Sequence, residues 1–206
     1  MLLPGRRIPR SVAVEYHLGM STETVSKKLF TVDEFYRMWD TGILPEDGRF
    51  ELIRGEIIEM PKPKPPHSGT VNRLTQLFSV TLGKAVIVSV QNPLGIDRYS
   101  EPQPDLVLLK PRADFYAESH PMPEDVLLAV EISHTTVYYD SKIKAPLYAE
   151  AEIAEYWQLD VQKNVLVVRT NPVNGEYRDV NVFRRGQTIS LQTLPSVSFS
   201  LDEILV

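Results

Sequence analysis

Three carboxylates and one lysine are the side chains of this sequence best suited to shared chemistry: Glu51, Asp105, Glu131 and Lys144. Asp105 follows Pro104 and opens the apolar run 106–109, while Glu131 closes the apolar run 126–130. Suppose the two runs pair as antiparallel neighbours, with Leu109 and Leu127 flanking the connection. Counting back then sets Asp105 directly opposite Glu131. Opposite residues share a face of a sheet at close range. Two carboxylates held that way repel each other unless a cation lies between them. A divalent metal meets that need, and hard oxygen ligands suit Mg2+ or Mn2+.

Each of these residues also has an ordinary structural role. A Pro-Asp dipeptide alone is most often a strand-entry turn with a solvated aspartate. Glu131 follows a run that is apolar on both faces, as in a covered central strand. A carboxylate there must be paired, protonated or metal-bound, so a structural salt bridge is its alternative. On a helix, Lys144 shares a face with Leu147, Tyr148 and Ala151, which points it toward the sheet, whereas Lys142 points elsewhere. The alternative is a lysine reaching solvent from a helix start. Glu51 alternates with Phe50 and Leu52 and is a candidate third oxygen. Glu56 competes with it, and an exposed hairpin glutamate is the ordinary reading of either. His67 opens a helix, where free amides favour anions, and His134 follows the Glu131 strand; a lone surface histidine is the simpler reading of each.

The elements that must position these groups read as follows. Residues 1–28 lack hydrophobic periodicity and are expected to form a flexible arm, with Met20 a candidate alternative start; residues 29–206 form the domain. Thr31 and Glu34 make a capping-box signature for a helix through 38 or 39. Residues 50–60 read as a hairpin turning at Arg54-Gly55. The proline-rich stretch 61–66 reads as a loop, and His67 starts a helix with Val71, Leu74, Leu77, Phe78 and Leu82 on one face. Residues 85–90 are a buried-type strand, and 139–151 a helix that Pro146 should break or kink. Strands follow at 155–160, 165–169, 177–183 and 188–191, with a last helical turn at 201–205.

Composition sets outer limits. The 206 residues, 43% apolar and 24% charged, fit one soluble globular domain rather than a disordered chain. No apolar run is long enough to span a bilayer, and the basic N-terminus lacks the apolar stretch of a secretory signal. There is no cysteine, which excludes disulfides and thiolate metal sites and makes a reducing cytoplasm the expected compartment. With a net charge of −5, any surface holding nucleic-acid phosphates must be a local basic patch.

The order of these signals resembles the PD-(D/E)XK nuclease superfamily, and within it the Uma-two family of restriction-endonuclease-like proteins. The stretches that carry the likeness are 50–56, His67, 104–107, 130–133, Asp140 with Lys144 and Tyr148-Ala149, and 155–160; it covers roughly 29–205. The resemblance implies a single α/β (α+β) domain, a central mixed sheet flanked by helices with added antiparallel strands. It implies Asp105 and Glu131 as metal ligands, together with the Ile132 carbonyl, and Glu51 as the supporting acid. The usual lysine two residues beyond Glu131 is replaced by Ser133, and the resemblance moves that role to Lys144. Arg54 stands where the family typically has an aspartate. The implied activity is Mg2+- or Mn2+-dependent phosphodiester hydrolysis, in DNA, with His67, Lys62 and Lys64 along the phosphate backbone. Folds of this kind often pair, so a homodimer is a reasonable partner state. The rival from another class is a nuclease fold kept as a binding or regulatory module without turnover. A basic rim around the acidic pocket separates the two.

Overall fold

A computed structural model describes residues 25–205 of the chain. Most of the expected arm, including Met20 and His17, lies outside the described residues. The capping box forms as its sequence predicts: Thr31 accepts the Glu34 N–H, Glu34 accepts the Thr31 N–H, and helix α1 runs Val32–Asp40. Its buried Phe35 packs with Leu44, Phe50 and Leu52. The last two belong to the hairpin β1 (Phe50–Ile53) and β2 (Glu56–Glu59). Arg54 and Gly55 both take positive φ, 52° and 78°, as a tight two-residue hairpin turn requires. A Cβ on Gly55 would come within 2.6 Å of the Leu29 Cβ, so the turn demands glycine for space as well as for its dihedrals.

The central sheet has the order β3-β4-β5-β6-β7-β8, with β3 at Ile87–Val90, β4 at Leu106–Leu109, β5 at Val126–Ser133, β6 at Glu155–Asp160, β7 at Val165–Val173 and β8 at Glu176–Phe183. Its neighbours are antiparallel except β5 and β6, which run parallel. A parallel pair needs a crossover. Here it is α3 (Val137–Tyr139), a π-helical turn (Asp140–Lys144) and α4 (Ala145–Glu150). On the opposite face lie α2 (Pro65–Leu82), a small pair β9 (Thr188–Ser190) and β10 (Ser198–Ser200), and α5 (Leu201–Ile204). The domain is thus mixed α+β, with a mixed central sheet flanked by helices.

The two faces of β5 are sorted by strand alternation. Leu128, Val130 and Ile132 enter the larger core with Leu74, Phe78 and Trp157. Ala129 enters the smaller core under α4, with Tyr148 and Tyr156. The expected antiparallel pairing of β4 and β5 is present, with Leu106 opposite Val130 and Leu108 opposite Leu128. The pairing at the connection differs: Leu109 pairs with Val126, not Leu127, across a bulge. The bulge absorbs one residue near the connection and leaves the register at the far end as counted.

Several boundaries also differ. Helix α2 begins at Pro65, inside the expected loop, because proline at the first helical positions loses an amide that has no helical partner anyway. A 3-10 turn over Gly83–Ala85 delays β3 to Ile87. Strand β7 extends to Val173, through Pro172, and β10 was not anticipated. Pro146 does not break its helix. The π turn lies just before it, and the Ala145 N–H reaches the Asp140 carbonyl five residues back. A regular α-helix would press the proline ring against the Lys142 carbonyl; the widened turn accommodates it, as π-bulges do at functional sites.

Candidate active site

Lys144 lies at the end of the π turn, 1% exposed, and its ammonium donates to Glu51 Oε1 at 2.8 Å and to Glu131 Oε1 at 2.9 Å. The Tyr148 hydroxyl, one helical turn on, donates to the same Glu131 oxygen at 2.7 Å. Three elements therefore converge on one cation: hairpin strand β1, sheet strand β5 and the crossover helix. Asp105 sits one residue before β4, where the register sets it opposite Glu131. Its carboxylate accepts the Ile132 N–H at 2.8 Å and the Gln91 side-chain amide at 3.1 Å. His67 Nε2 lies 3.0 Å from both Asp105 oxygens. The first turn of α2 thus faces this carboxylate, a favourable arrangement with the helix dipole.

Asp140 adds a fourth acid. It accepts from the Ser133 hydroxyl at 2.6 Å and from the Thr136 hydroxyl at 2.7 Å. The Gln158 amide in turn donates to Ser133. Ser133, where the resemblance places the usual lysine, instead holds the base of the helix that carries Lys144.

Burial and charge compete throughout this cluster. Burial pushes the Glu131 carboxyl well above the usual carboxylate range, although the Lys144 ammonium opposes it. Burial alone would lower Lys144, but Glu131, Glu51 and Asp140 overrule it and hold the ammonium well above the ordinary lysine range. Burial also raises Asp140. Asp105 differs: burial would raise it, but the contact with His67 and the Ile132 N–H bring it below its ordinary value. One ammonium among four carboxylates leaves surplus negative charge, which calls for a proton or a further cation.

A cleft of about 80 Å3, roomy enough for several waters, opens onto these groups. Glu51, Asp105, Ile132, His134, Asp140 and Lys144 line its floor, and Arg49, Lys62 and Lys64 line it from the hairpin side. The structure therefore brings together Glu51, Asp105, Glu131, Lys144, His67, Lys62, Lys64 and Ile132. Two ordinary readings are corrected. Glu51 is buried, with the Gln103 N–H and Lys144 as partners, because the loop after Tyr99 closes over the hairpin. His67 is held against Asp105 and is not a surface histidine. Glu56 is exposed and pairs with Lys27, away from the cleft. Arg49, Gln91 and the hydroxyl of Tyr148 were not singled out. Tyr148 carried a signal, since it lies four residues from Lys144 on one helix face. Gln91 carried none, since the Asp105 it contacts lies 14 residues further on.

The acids supply oxygen donors of the type a hard divalent cation takes. Glu51 Oε2 is buried with no hydrogen-bond partner among the described residues, and the surplus carboxylates are oxygen donors. Among the described residues, no three His, Asp or Glu side chains converge as a metal-binding group; Lys144 takes the space between Glu51 and Glu131. No helix among the described residues is long and apolar enough to cross a membrane.

Known proteins supply an independent comparison. A crystal structure described as a putative nuclease belonging to DUF820, from Anabaena variabilis ATCC 29413, superposes with a TM-score of 0.63 at 16% identity, over 85% of this chain and 97% of that one. That likeness shows the fold. No curated protein matches. Residues 32–202 match the Uma2 family, whose description is "Putative restriction endonuclease". The match spans the hairpin, the sheet and the crossover helix that together build the cleft, and the chain belongs to the Uma2 family.

Proposed function

We propose that the chain is a metal-dependent endonuclease that hydrolyses phosphodiester bonds in DNA at this cleft. The observation that carries the reading is the placement of the charges. A buried acid cluster with one lysine lies under a rim of Arg49, Lys62 and Lys64, in a chain whose net charge is −5. A basic rim over an acidic floor is what a phosphodiester substrate needs and an inert scaffold does not.

The chain's own residues divide the work. Lys144 stays protonated, so it serves as a hydrogen-bond donor and fixed positive charge for the oxyanion that develops on phosphorus. The structure does not favour it as the base that deprotonates water. Tyr148 and Lys144 hold Glu131, and Ile132, Gln91 and His67 hold Asp105, which keeps the acids in place before substrate arrives. Glu51 Oε2 is left free to accept from a water. Glu51, Asp105 and Glu131, with the Ile132 carbonyl, would hold Mg2+ or Mn2+, which would polarise the phosphoryl group and lower the pKa of a bound water.

The test is cleavage of supercoiled and linear DNA with Mg2+ or Mn2+, by the parent and by Glu131→Gln, with calorimetric titration of each metal alongside. The expected result is metal-dependent cleavage that Glu131→Gln removes while the variant stays folded. One observation favours a second reading, a binding or regulatory module without turnover: Lys144 already bridges two glutamates, and among the described residues no three groups converge for a metal. A parent that binds DNA but neither binds metal nor cleaves would establish that reading and overturn the first.

A further inference from the structure

We propose that Lys144 holds the place of a divalent cation between Glu51 and Glu131 and withdraws into the cleft when that cation binds. This role presupposes the metal-dependent reading of the cleft and names the residue that controls entry to it. Glu51 Oε1 accepts from the Lys144 ammonium at 2.8 Å and from the Gln103 N–H at 3.0 Å. Glu131 Oε1 accepts from the same ammonium at 2.9 Å and from the Tyr148 hydroxyl at 2.7 Å. A carboxylate oxygen offers two lone pairs, so both oxygens are full. Each has one donor fixed by the fold, a backbone amide or a buried tyrosine. The other donor is shared and sits at the end of a flexible four-carbon stem. Removing the ammonium alone frees one lone pair on each oxygen, and the fixed donors keep both carboxylates aimed at one point.

Size and charge make the two occupants exclude each other. The ammonium lies 2.8 and 2.9 Å from its acceptors, while a hard divalent cation takes carboxylate oxygens at about 2.0–2.6 Å. A cation on these two oxygens would stand in the space the ammonium fills. Two positive charges would then touch in a buried setting that screens them weakly. The cleft gives the ammonium an outlet. Lys144 lines it, and the Tyr139 ring lies 5.9 Å from Nζ, a face that attracts a desolvated cation. The backbone does not follow, because the Ala145 N–H on the Asp140 carbonyl and the adjacent Pro146 hold the π turn. The movement is a rotation of the side chain alone, and it carries positive charge toward the place a phosphate would take.

The test compares Mn2+ binding to the parent and to Lys144→Met by calorimetry, at one pH and one ionic strength. With no ammonium to displace, Lys144→Met should bind Mn2+ at least about tenfold tighter than the parent. Equal or weaker binding by the folded variant overturns the proposal. A second measurement needs only the parent: acetylation by an N-hydroxysuccinimide ester, read by mass spectrometry with and without saturating Mn2+. Lys144 is buried and Lys142, two residues earlier, is exposed. Mn2+ should therefore raise the labelling of Lys144 several-fold relative to Lys142. A Lys144 that stays protected in the Mn2+-saturated parent overturns the proposal and leaves the metal-dependent reading of the cleft intact. Mn2+ binding by neither protein overturns both.

Discussion

From Leu128 to Ser133 both faces of β5 are buried, yet they have opposite energetics. On one, Leu128, Val130 and Ile132 fill the larger core, and every square ångström of apolar surface removed from water favours the fold. On the other, Glu131 is 3% exposed and Ser133 fully buried, within a network of charges whose desolvation is unfavourable. Buried ion pairs are often replaceable by apolar residues with no loss of stability. A strand that keeps a carboxylate at such a position, ringed by Lys144, Tyr148, Asp105 and Glu51, spends stability on positioning. Burial by itself therefore does not mark a residue as core; the partner set does.

Variants can break this contrast or sharpen it. The largest expected effect is that of Lys144→Met, which leaves Glu51 and Glu131 buried without their shared cation. It should cost about 3–5 kcal/mol in urea unfolding as well as abolish cleavage. Lys144→Met combined with Glu131→Gln should recover part of the stability and none of the activity. Full stability in the single variant would mean the cluster is more hydrated than the structure shows. Because Lys144 is fully buried, loss of stability alone does not separate a structural from a catalytic lysine; the double variant does. On the apolar face, Leu128→Ala should cost about 2–5 kcal/mol while leaving the activity per folded molecule unchanged. An equal fall in specific activity would show that the two faces are mechanically coupled.

Tyr148→Phe lies between these extremes. Removing one hydrogen bond to a charged acceptor should cost about 1.5–3 kcal/mol, and loosened positioning of Glu131 should lower kcat more than it raises KM. Unchanged kinetics would make the tyrosine purely structural. The pH dependence follows from Asp105, whose carboxyl is held below its ordinary value. Such a group stabilises the fold fully above about pH 4 and loses that contribution as pH falls through its folded pKa. Melting temperature measured against pH should therefore drop on the acid side, and Asp105→Asn should flatten that limb. A limb unchanged by the substitution would assign it to another acid. The smallest effect on stability belongs to Lys62→Ala and Lys64→Ala at the exposed rim. Neither should move the melting temperature, and each should lower the salt dependence of DNA binding by about one counterion. Equal binding at all salt concentrations would remove the rim from the substrate path.

Much of the positioning was legible because it rests on local periodicity. Strand alternation put Asp105 opposite Glu131, and helical spacing put Lys144 on the face of Leu147 and Tyr148. What failed were judgements about local strain and exposure. Pro146 looked like a break because sequence rules price proline in a regular α-helix, whereas the chain widens to a π turn ahead of it. Glu51 and His67 looked like surface residues because nothing nearby in sequence shows the segments that cover them. Gln103 lies 52 residues beyond Glu51, and Asp105 lies 38 beyond His67.

The sequence by itself determined which residues would alternate inward, that the capped first helix, the hairpin and the crossover helix would form, and that Asp105 and Glu131 would lie near one end of the sheet. These follow from periods of two and 3.6 residues and from capping and turn chemistry, all of which act over a few residues. Only the tertiary structure decided that Lys144 would be fully enclosed between Glu51 and Glu131, that His67 would hold Asp105, and that Arg49, Lys62 and Lys64 would gather on one rim. Those outcomes depend on how the hairpin, α2 and the crossover helix dock on the sheet. Docking is governed by packing between segments far apart in the chain, which no local pattern encodes.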